Sequence, residues 1–291
     1  MKVTHIGGPT LLIEVGGWRI LTDPTFDPPG KTYGFGWGTS SKKTLGPALS
    51  TTDVGPIDVV LLSHDHHADN LDTAGRRLLR EVPRVITTRP GSKRLRHELL
   101  AKVHGLAPGK SLNVREPDRS ELHVTATPAR HGPPLGQFIA GTVIGFVLDV
   151  TDDGVRRRIW VTGDTVLARR VRALARGLAV DVAVLHMGGV RFPSTGPLRY
   201  SMVAADATRL VTLLNPCVAI PVHYDGWSHF GEDQSHARAA LRAAGTAART
   251  QILWLEPGQS TDLNPVPHVS ELPRCADADP GHPAPHIPGP S

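Results

Sequence analysis

The run Ser63-His64-Asp65-His66-His67-Ala68-Asp69-Asn70 carries three imidazoles and two carboxylates within six consecutive positions, 64 to 69. Neutral imidazole is a common ligand for zinc-like ions, and two imidazoles two residues apart in a loop can converge on one ion. His64 and His66 have that spacing. Three further polar residues stand where apolar runs end. His131 follows Leu122–Thr127, Asp164 follows Arg158–Val161, and His223 follows Cys217–Ile220. A dication needs several nitrogen and oxygen ligands, and only folding can gather them from loops distant in sequence. The chemistry this pattern points to is that of a metal centre. A solvated polar loop is the competing reading of the first run.

These residues need a scaffold that presents them together. Ile57–Leu62 is a continuous apolar run directly before Ser63, the mark of a buried strand, and loops at strand ends are where rigid folds build sites. Further strands are expected at Lys2–Ile6, Thr10–Val15, Trp18–Thr22, Val85–Thr87, Leu122–Thr127 and Thr142–Asp149. Arg158–Thr162, Asp181–His186, Cys217–Val222 and Gln251–Leu255 complete the set, with Gly16-Gly17 and Asp152-Asp153-Gly154 as hairpin turns. Helices are expected at Asp72–Glu81, Ser92–Val103, Val166–Arg176, Ser201–Leu214 and Ser235–Ala244. Pro24–Pro56, rich in Gly, Pro, Ser and Thr and holding Tyr33, Phe35 and Trp37, reads as one long functional loop, a lid or a binding loop. The order is β-rich then βα, twice over, which implies two sheets covered by helices.

Composition bounds the function classes. The chain has 291 residues, 40% apolar and 20% charged, which fits a soluble globular protein rather than a disordered one. No stretch approaches the roughly 18 apolar residues a membrane span requires. Met1-Lys2-Val3-Thr4-His5 lacks the apolar core of a leader, so a cytoplasmic location is expected. The formal charge of +5 is scattered, and nucleic acid is not expected as a partner. Cys217 and Cys275 suit neither a disulfide framework nor a zinc knuckle. From Asn264 to Ser291 the chain holds eight prolines in 28 residues, so one domain over 1–263 followed by a poorly ordered tail over 264–291 is expected.

With these motifs in order, residues 1–258 resemble the metallo-β-lactamase fold superfamily. Asp23 matches its first motif, His64 and His66 the opening of its H-x-H-x-D-H signature, and His131, Asp164 and His223 the motifs that follow. Gly7-Gly8-Pro9-Thr10-Leu11-Leu12-Ile13-Glu14 and Leu21-Thr22-Asp23-Pro24 look most like the branch with L-ascorbate-6-phosphate lactonases and N-acyl-phosphatidylethanolamine phospholipase D. The resemblance implies a four-layer αββα sandwich of α+β class and a metal-dependent hydrolase. Its nucleophile would be a metal-bound hydroxide acting on an ester, lactone or phosphodiester of a small-molecule substrate. Zinc, one or two ions, is the expected metal, with manganese or iron as alternatives.

The signature here departs from the family pattern, reading H-x-H-x-x-D-N. With one inserted residue, Asp69 takes the place of the signature's Asp and becomes the expected catalytic carboxylate that orients the nucleophile. Asn70 then stands where the second ion expects His, and His67 is the candidate to replace it. The resemblance thus implies a first site from His64, His66 and His131, a second from Asp69 and His223, and Asp164 between them. Asp65 is expected to point away from the metal. Arg191, His186, Tyr200, Trp227 and His229 lie near these motifs and are candidates for substrate binding. A mononuclear iron dioxygenase acting on persulfides, a nuclease of the same fold and a non-catalytic metal-binding protein are the alternatives.

Overall fold

The computed structural model describes residues 1–36, 38–133 and 141–263. The expected Pro-rich tail, 264–291, and Trp37 lie outside the described residues. Two seven-stranded sheets dominate. The first is built around the N-terminal strands β1 (Lys2–Gly7), β2 (Thr10–Val15) and β3 (Trp18–Thr22), continued by β6 (Val59–Leu61), β7 (Val85–Thr88) and β8 (Val103–Leu106). Its far edge is β16 (Ser260–Asp262), which pairs antiparallel with β1 through Lys2↔Asp262 and Thr4↔Ser260. The second sheet runs from β9 (Ser111–Val114) through β10 (Leu122–Pro128), β11 (Ile144–Asp152) and β12 (Val155–Val161) to β13 (Val182–His186), β14 (Val218–Val222) and β15 (Gln251–Ile252). Strands β9 to β12 are antiparallel, whereas β12 to β15 are parallel.

Alternating burial explains the layering. Side chains such as Leu11, Ile13, Trp18, Val124, Phe146 and Ile220 point between the two sheets and form the central core. The outer face of the first sheet, with Leu12, Leu21, Val60 and Val85, packs on α2 (Thr73–Leu78) and α3 (Arg89–Leu99). The outer face of the second, with Trp160, Ala183 and Leu185, packs on α4 (Arg169–Gly177), α5 (Ala204–Leu214) and α6 (Gln234–Ala248). Helix, sheet, sheet and helix form the expected sandwich. No helix among the described residues is long and apolar enough to cross a membrane.

Several expected elements are corrected by the structure. Pro24–Pro56 is not one loop: it contains a two-stranded sheet, β4 (Thr32–Gly36) with β5 (Thr39–Lys42), and a short helix α1 (Thr51–Val54). Instead of running from Ser92 to Val103, the third helix starts at Arg89, where the Thr88 side chain accepts from Gly91 N. It ends at Leu99, and β8 begins at Val103. That strand can cross α3 because Gly105 has no side chain; a Cβ there would lie 2.2 Å from Ser92 Oγ. The helix expected from Val166 begins at Arg169, since Val166 N instead donates to Arg130 O. Strands β8 and β16 are additions that the local pattern did not mark.

Candidate metal centre

The site forms where β3, β6, β10, β12, β13 and β14 end on one rim. Ser63, which opens the histidine loop, donates its backbone N–H to Asp23 Oδ1 at 2.6 Å. The other Asp23 oxygen lies 3.2 Å from His186 Nε2. Asp23 thus ties the ends of β3 and β13 to the histidine loop rather than facing the cluster of candidate ligands. Its φ of 32° and the φ of 58° at His223 are left-handed backbone at non-glycine residues, strain of the kind that concentrates at functional sites. Gly163 permits the close approach of the next loop: a Cβ would lie 2.5 Å from Ile144 O and 3.1 Å from Ser63 Cβ. Asp164 follows it immediately and is fully buried.

Three groups of ligand atoms, each within 4.8 Å of one another, chain together here: His64 with His66 and His67; His64 with His131 and Asp164; Asp69 with Asp164 and His223. The nearest approach is His67 Nδ1, which is 3.1 Å from both His64 Nε2 and His131 Nε2. Two nitrogens bound tetrahedrally to one zinc at 2.0–2.1 Å would sit roughly 3.3 Å apart, so this spacing suits a shared ion. The outer ring nitrogens are held from behind. His131 Nδ1–H donates to the Tyr200 carbonyl at 2.8 Å, which leaves the Nε2 lone pair turned inward. His64 Nδ1 lies 3.0 Å from Ser63 Oγ, and Asn70 Nδ2 donates to the same hydroxyl at 3.4 Å.

Electrostatics point the same way. Burial, reinforced by the neighbouring imidazoles, holds His64 and His67 well below the usual histidine range. Burial also pushes His131 down to about 4. Neutral imidazoles offer lone pairs. Asp164, buried beside Asp69 and Asp23, is raised well above the carboxylate range. Burial alone would raise Asp69 as well, but contacts with His223 and His229 hold it low. Both Asp164 oxygens, Asp69 Oδ1 and both ring nitrogens of His223 and His229 are buried without a hydrogen-bond partner. Orphaned buried polar atoms are costly, and a bound dication would satisfy them together. The donor set of imidazoles and carboxylates therefore fits a zinc-like ion or pair of ions.

The remaining sequence candidates divide. Asp65 faces away, paired with the Arg94 guanidinium over the start of α3. Tyr200 lines the cavity above the cluster, and its carbonyl holds His131. His186 is fully buried and engaged by Asp23 and Thr162, which corrects its expected role in substrate binding. Arg191 is corrected likewise: it is exposed and donates to Gly231 O, with no place in the cavity lining. Trp227 is buried and stacks on His229 at 5.8 Å and 12°. His229 Nε2 comes within 3.3 Å of Asp69 Oδ2.

A cavity of about 240 Å³ opens onto this cluster, with His67, Asp69 and His131 at its floor. Its walls are Phe35, Gly36, Thr39, Val190, Phe192, Ser194, Thr195 and Tyr200. Sequence reasoning missed Val190, Phe192, Ser194 and Thr195. Phe35 was visible only as one of the aromatics inside Pro24–Pro56, the run that reads as a single loop.

Known proteins share the family and the fold. The sequence profile described as "Beta-lactamase superfamily domain" matches residues 18–224. A "UPF0173 metal-dependent hydrolase" of Pelotomaculum thermopropionicum is 30% identical over 271 residues, covering 90% of this chain and all of that protein. Another, from Pyrococcus furiosus, is 26% identical over 264 residues with the same coverage of both. Among solved structures, an isothiocyanate hydrolase from Delia radicum gut bacteria superposes with a TM-score of 0.72 at 20% identity, covering 90% of this chain and 98% of that one. The chain belongs to the UPF0173 metal-dependent hydrolase family, within the beta-lactamase superfamily.

Proposed function

We propose that the protein hydrolyses an uncharged ester or lactone, with His64, His66, His67, His131, Asp69, Asp164 and His223 holding the metal centre. The observation that carries this reading is a buried cluster of ligand atoms, several of them unpartnered, reached through Asp69 at the floor of a mostly apolar cavity. A bound dication there would bring the pKa of water from about 16 toward 7 and stabilise the developing oxyanion. Asp69 is both at the cavity floor and short of a partner at Oδ1, so it is placed to orient the attacking water and accept its proton. Phe35, Phe192, Val190 and Tyr200 exclude solvent from the reacting carbonyl.

The lining argues for the substrate class. Among the described residues no Lys or Arg faces the cavity, and Arg191, the expected anion partner, is turned outward. A phosphodiester or a phosphorylated lactone would be poorly matched there, because such groups call for fixed cationic donors. The mononuclear dioxygenase reading needs one ion on two His and one Asp. The second cluster of Asp69, Asp164 and His223, with unpartnered atoms of its own, favours two.

The test is a substrate panel on protein loaded with zinc or manganese: p-nitrophenyl acetate, a γ-lactone, bis(p-nitrophenyl) phosphate and an aryl isothiocyanate. Ester or lactone turnover should exceed phosphodiester turnover in kcat/KM by at least about tenfold, equivalent to roughly 1.4 kcal/mol. Asp69→Asn should lower kcat by about 10²-fold or more. A phosphodiester preference, or one iron per chain with oxygen uptake, would overturn the proposal.

A further inference from the structure

We infer that His229 supplies the second-ion ligand that Asn70 cannot, completing a site with Asp69, Asp164 and His223. The inference rests on the metal-centre reading above and assigns to this chain a ligand outside the family signature.

His229 is buried at 5% exposure, with neither ring nitrogen in a hydrogen bond. Its surroundings are aromatic: Trp227 stacks on it, while Phe35, Phe192 and Phe230 present edges at 5.2, 5.4 and 4.7 Å between ring centroids. An imidazole in such a cage loses its hydration and, apart from its approach to Asp69, finds no polar partner in return. Something must engage it. The nearby polar atom is Asp69 Oδ2 at 3.3 Å, and the same oxygen lies 3.4 Å from His223 Nε2. Asp69 Oδ2 therefore has one imidazole on each side; His229 stands just outside the group of Asp69, Asp164 and His223, and a shared ion would draw its ring inward.

A role in binding substrate fits less well, since His229 is absent from the cavity lining although Asp69, its neighbour, is part of it. The backbone also fixes the ring. Arg191 N donates to His229 O at 3.2 Å, and Ser228 N donates to Lys42 O at 2.9 Å, which pins the return from β14 against the hairpin. Asn70 is the rival donor. Its amide nitrogen reaches Ser63 Oγ, on the His64 side, and its unpartnered Oδ1 is a neutral amide oxygen, which a zinc-like ion takes less readily than imidazole.

Zinc titration of the full chain, with bound zinc counted by mass spectrometry after dialysis, tests this. Wild type should hold two ions, His229→Ala one, and Asn70→Ala two. Loss of an outer partner weakens metal binding about 10–100-fold, so the second-ion Kd in His229→Ala should rise by more than ~100-fold. An increase below ~10-fold, or loss of the second ion in Asn70→Ala but not in His229→Ala, overturns the inference. A wild type holding one zinc overturns it while leaving the hydrolase reading intact; a wild type holding none overturns both. Should His229→Ala not fold, anomalous scattering from zinc-soaked wild-type crystals decides. A second ion at about 2.0–2.1 Å from a His229 ring nitrogen supports the assignment, and one out of bonding reach of that ring overturns it.

Discussion

Four imidazoles of the centre, His64, His67, His131 and His223, are driven below their usual range mainly by burial. A histidine whose folded pKa lies below its unfolded value adds stability that is complete above about pH 6.5 and is lost as pH falls toward the folded value. Asp164 acts in the opposite sense, because its raised pKa makes the folded state hold an extra proton through the same window. Four imidazoles against one carboxyl leave the histidine sign dominant. The metal-stripped protein should therefore lose melting temperature as pH drops from about 6.5 toward 4, the lower bound set by His131. His131 alone contributes on the order of 3 kcal/mol at about 1.4 kcal/mol per pKa unit. Zinc affinity should fall in the same direction, as protons compete for the same lone pairs. A melting temperature flat across that window would refute the assignment of these rings as neutral. At this scale the sequence made the imidazoles and carboxylates legible because they stand at ends of apolar runs. It could not show that Asp23 engages His186, or that Arg94 claims Asp65, since those partners are set by tertiary contacts over 163 and 29 residues.

The hairpin of β4 and β5 owes its position to a buried ion pair rather than to either main sheet. Lys43, just after β5, donates from Nζ to Asp72 Oδ2 at 2.8 Å, with side-chain exposures of 3% and 0%. Asp72 also caps α2 by accepting from Gly75 N and takes the Phe26 and Asp27 N–H groups. The Tyr33 hydroxyl donates to Asp27, and Trp227 lies beneath the Lys43 ammonium. Together these contacts hold Phe35 over the cavity. Lys43→Met should leave Asp72 buried with its backbone donors but without its cation, at a cost of about 3–5 kcal/mol. The local consequence should be faster proteolytic cleavage between residues 30 and 43 and a raised KM, while zinc content stays unchanged. Unaltered cleavage and KM would show that the pair does not hold the hairpin. None of this was legible in advance. Gly34, Gly36 and Gly38 disguise the strands, and no local pattern marks a lysine as buried.

At the scale of the whole molecule the strong apolar runs announced both sheets, but not where the first one ends. Its edge strand, Ser260–Asp262, is polar and short, and it exists through pairing with β1 more than 250 residues away. Leu263, directly after it, is 5% exposed and joins the central core, and its N–H donates to Met1 O at 2.9 Å. Leu263 is thus part of the folded core. Removing residues 265–291 should leave melting temperature and zinc content unchanged, because eight prolines in a mostly polar segment offer little to offset the entropy of ordering. Removing everything after Pro257 should behave differently. It deletes β16 and exposes the surface that Leu263 covers, worth about 1.5–3 kcal/mol for that side chain alone. For a chain of this size each kcal/mol corresponds to about 2–4 °C, so a drop of roughly 5 °C or more is expected. Because β16 is the edge strand and carries none of the candidate ligands, which follow β6, β10, β12 and β14, zinc content should survive even the cut after Pro257. A loss of several degrees on removing 265–291 alone would mean that the tail packs on the core, and equal melting of the two truncations would mean that β16 does not close the sheet.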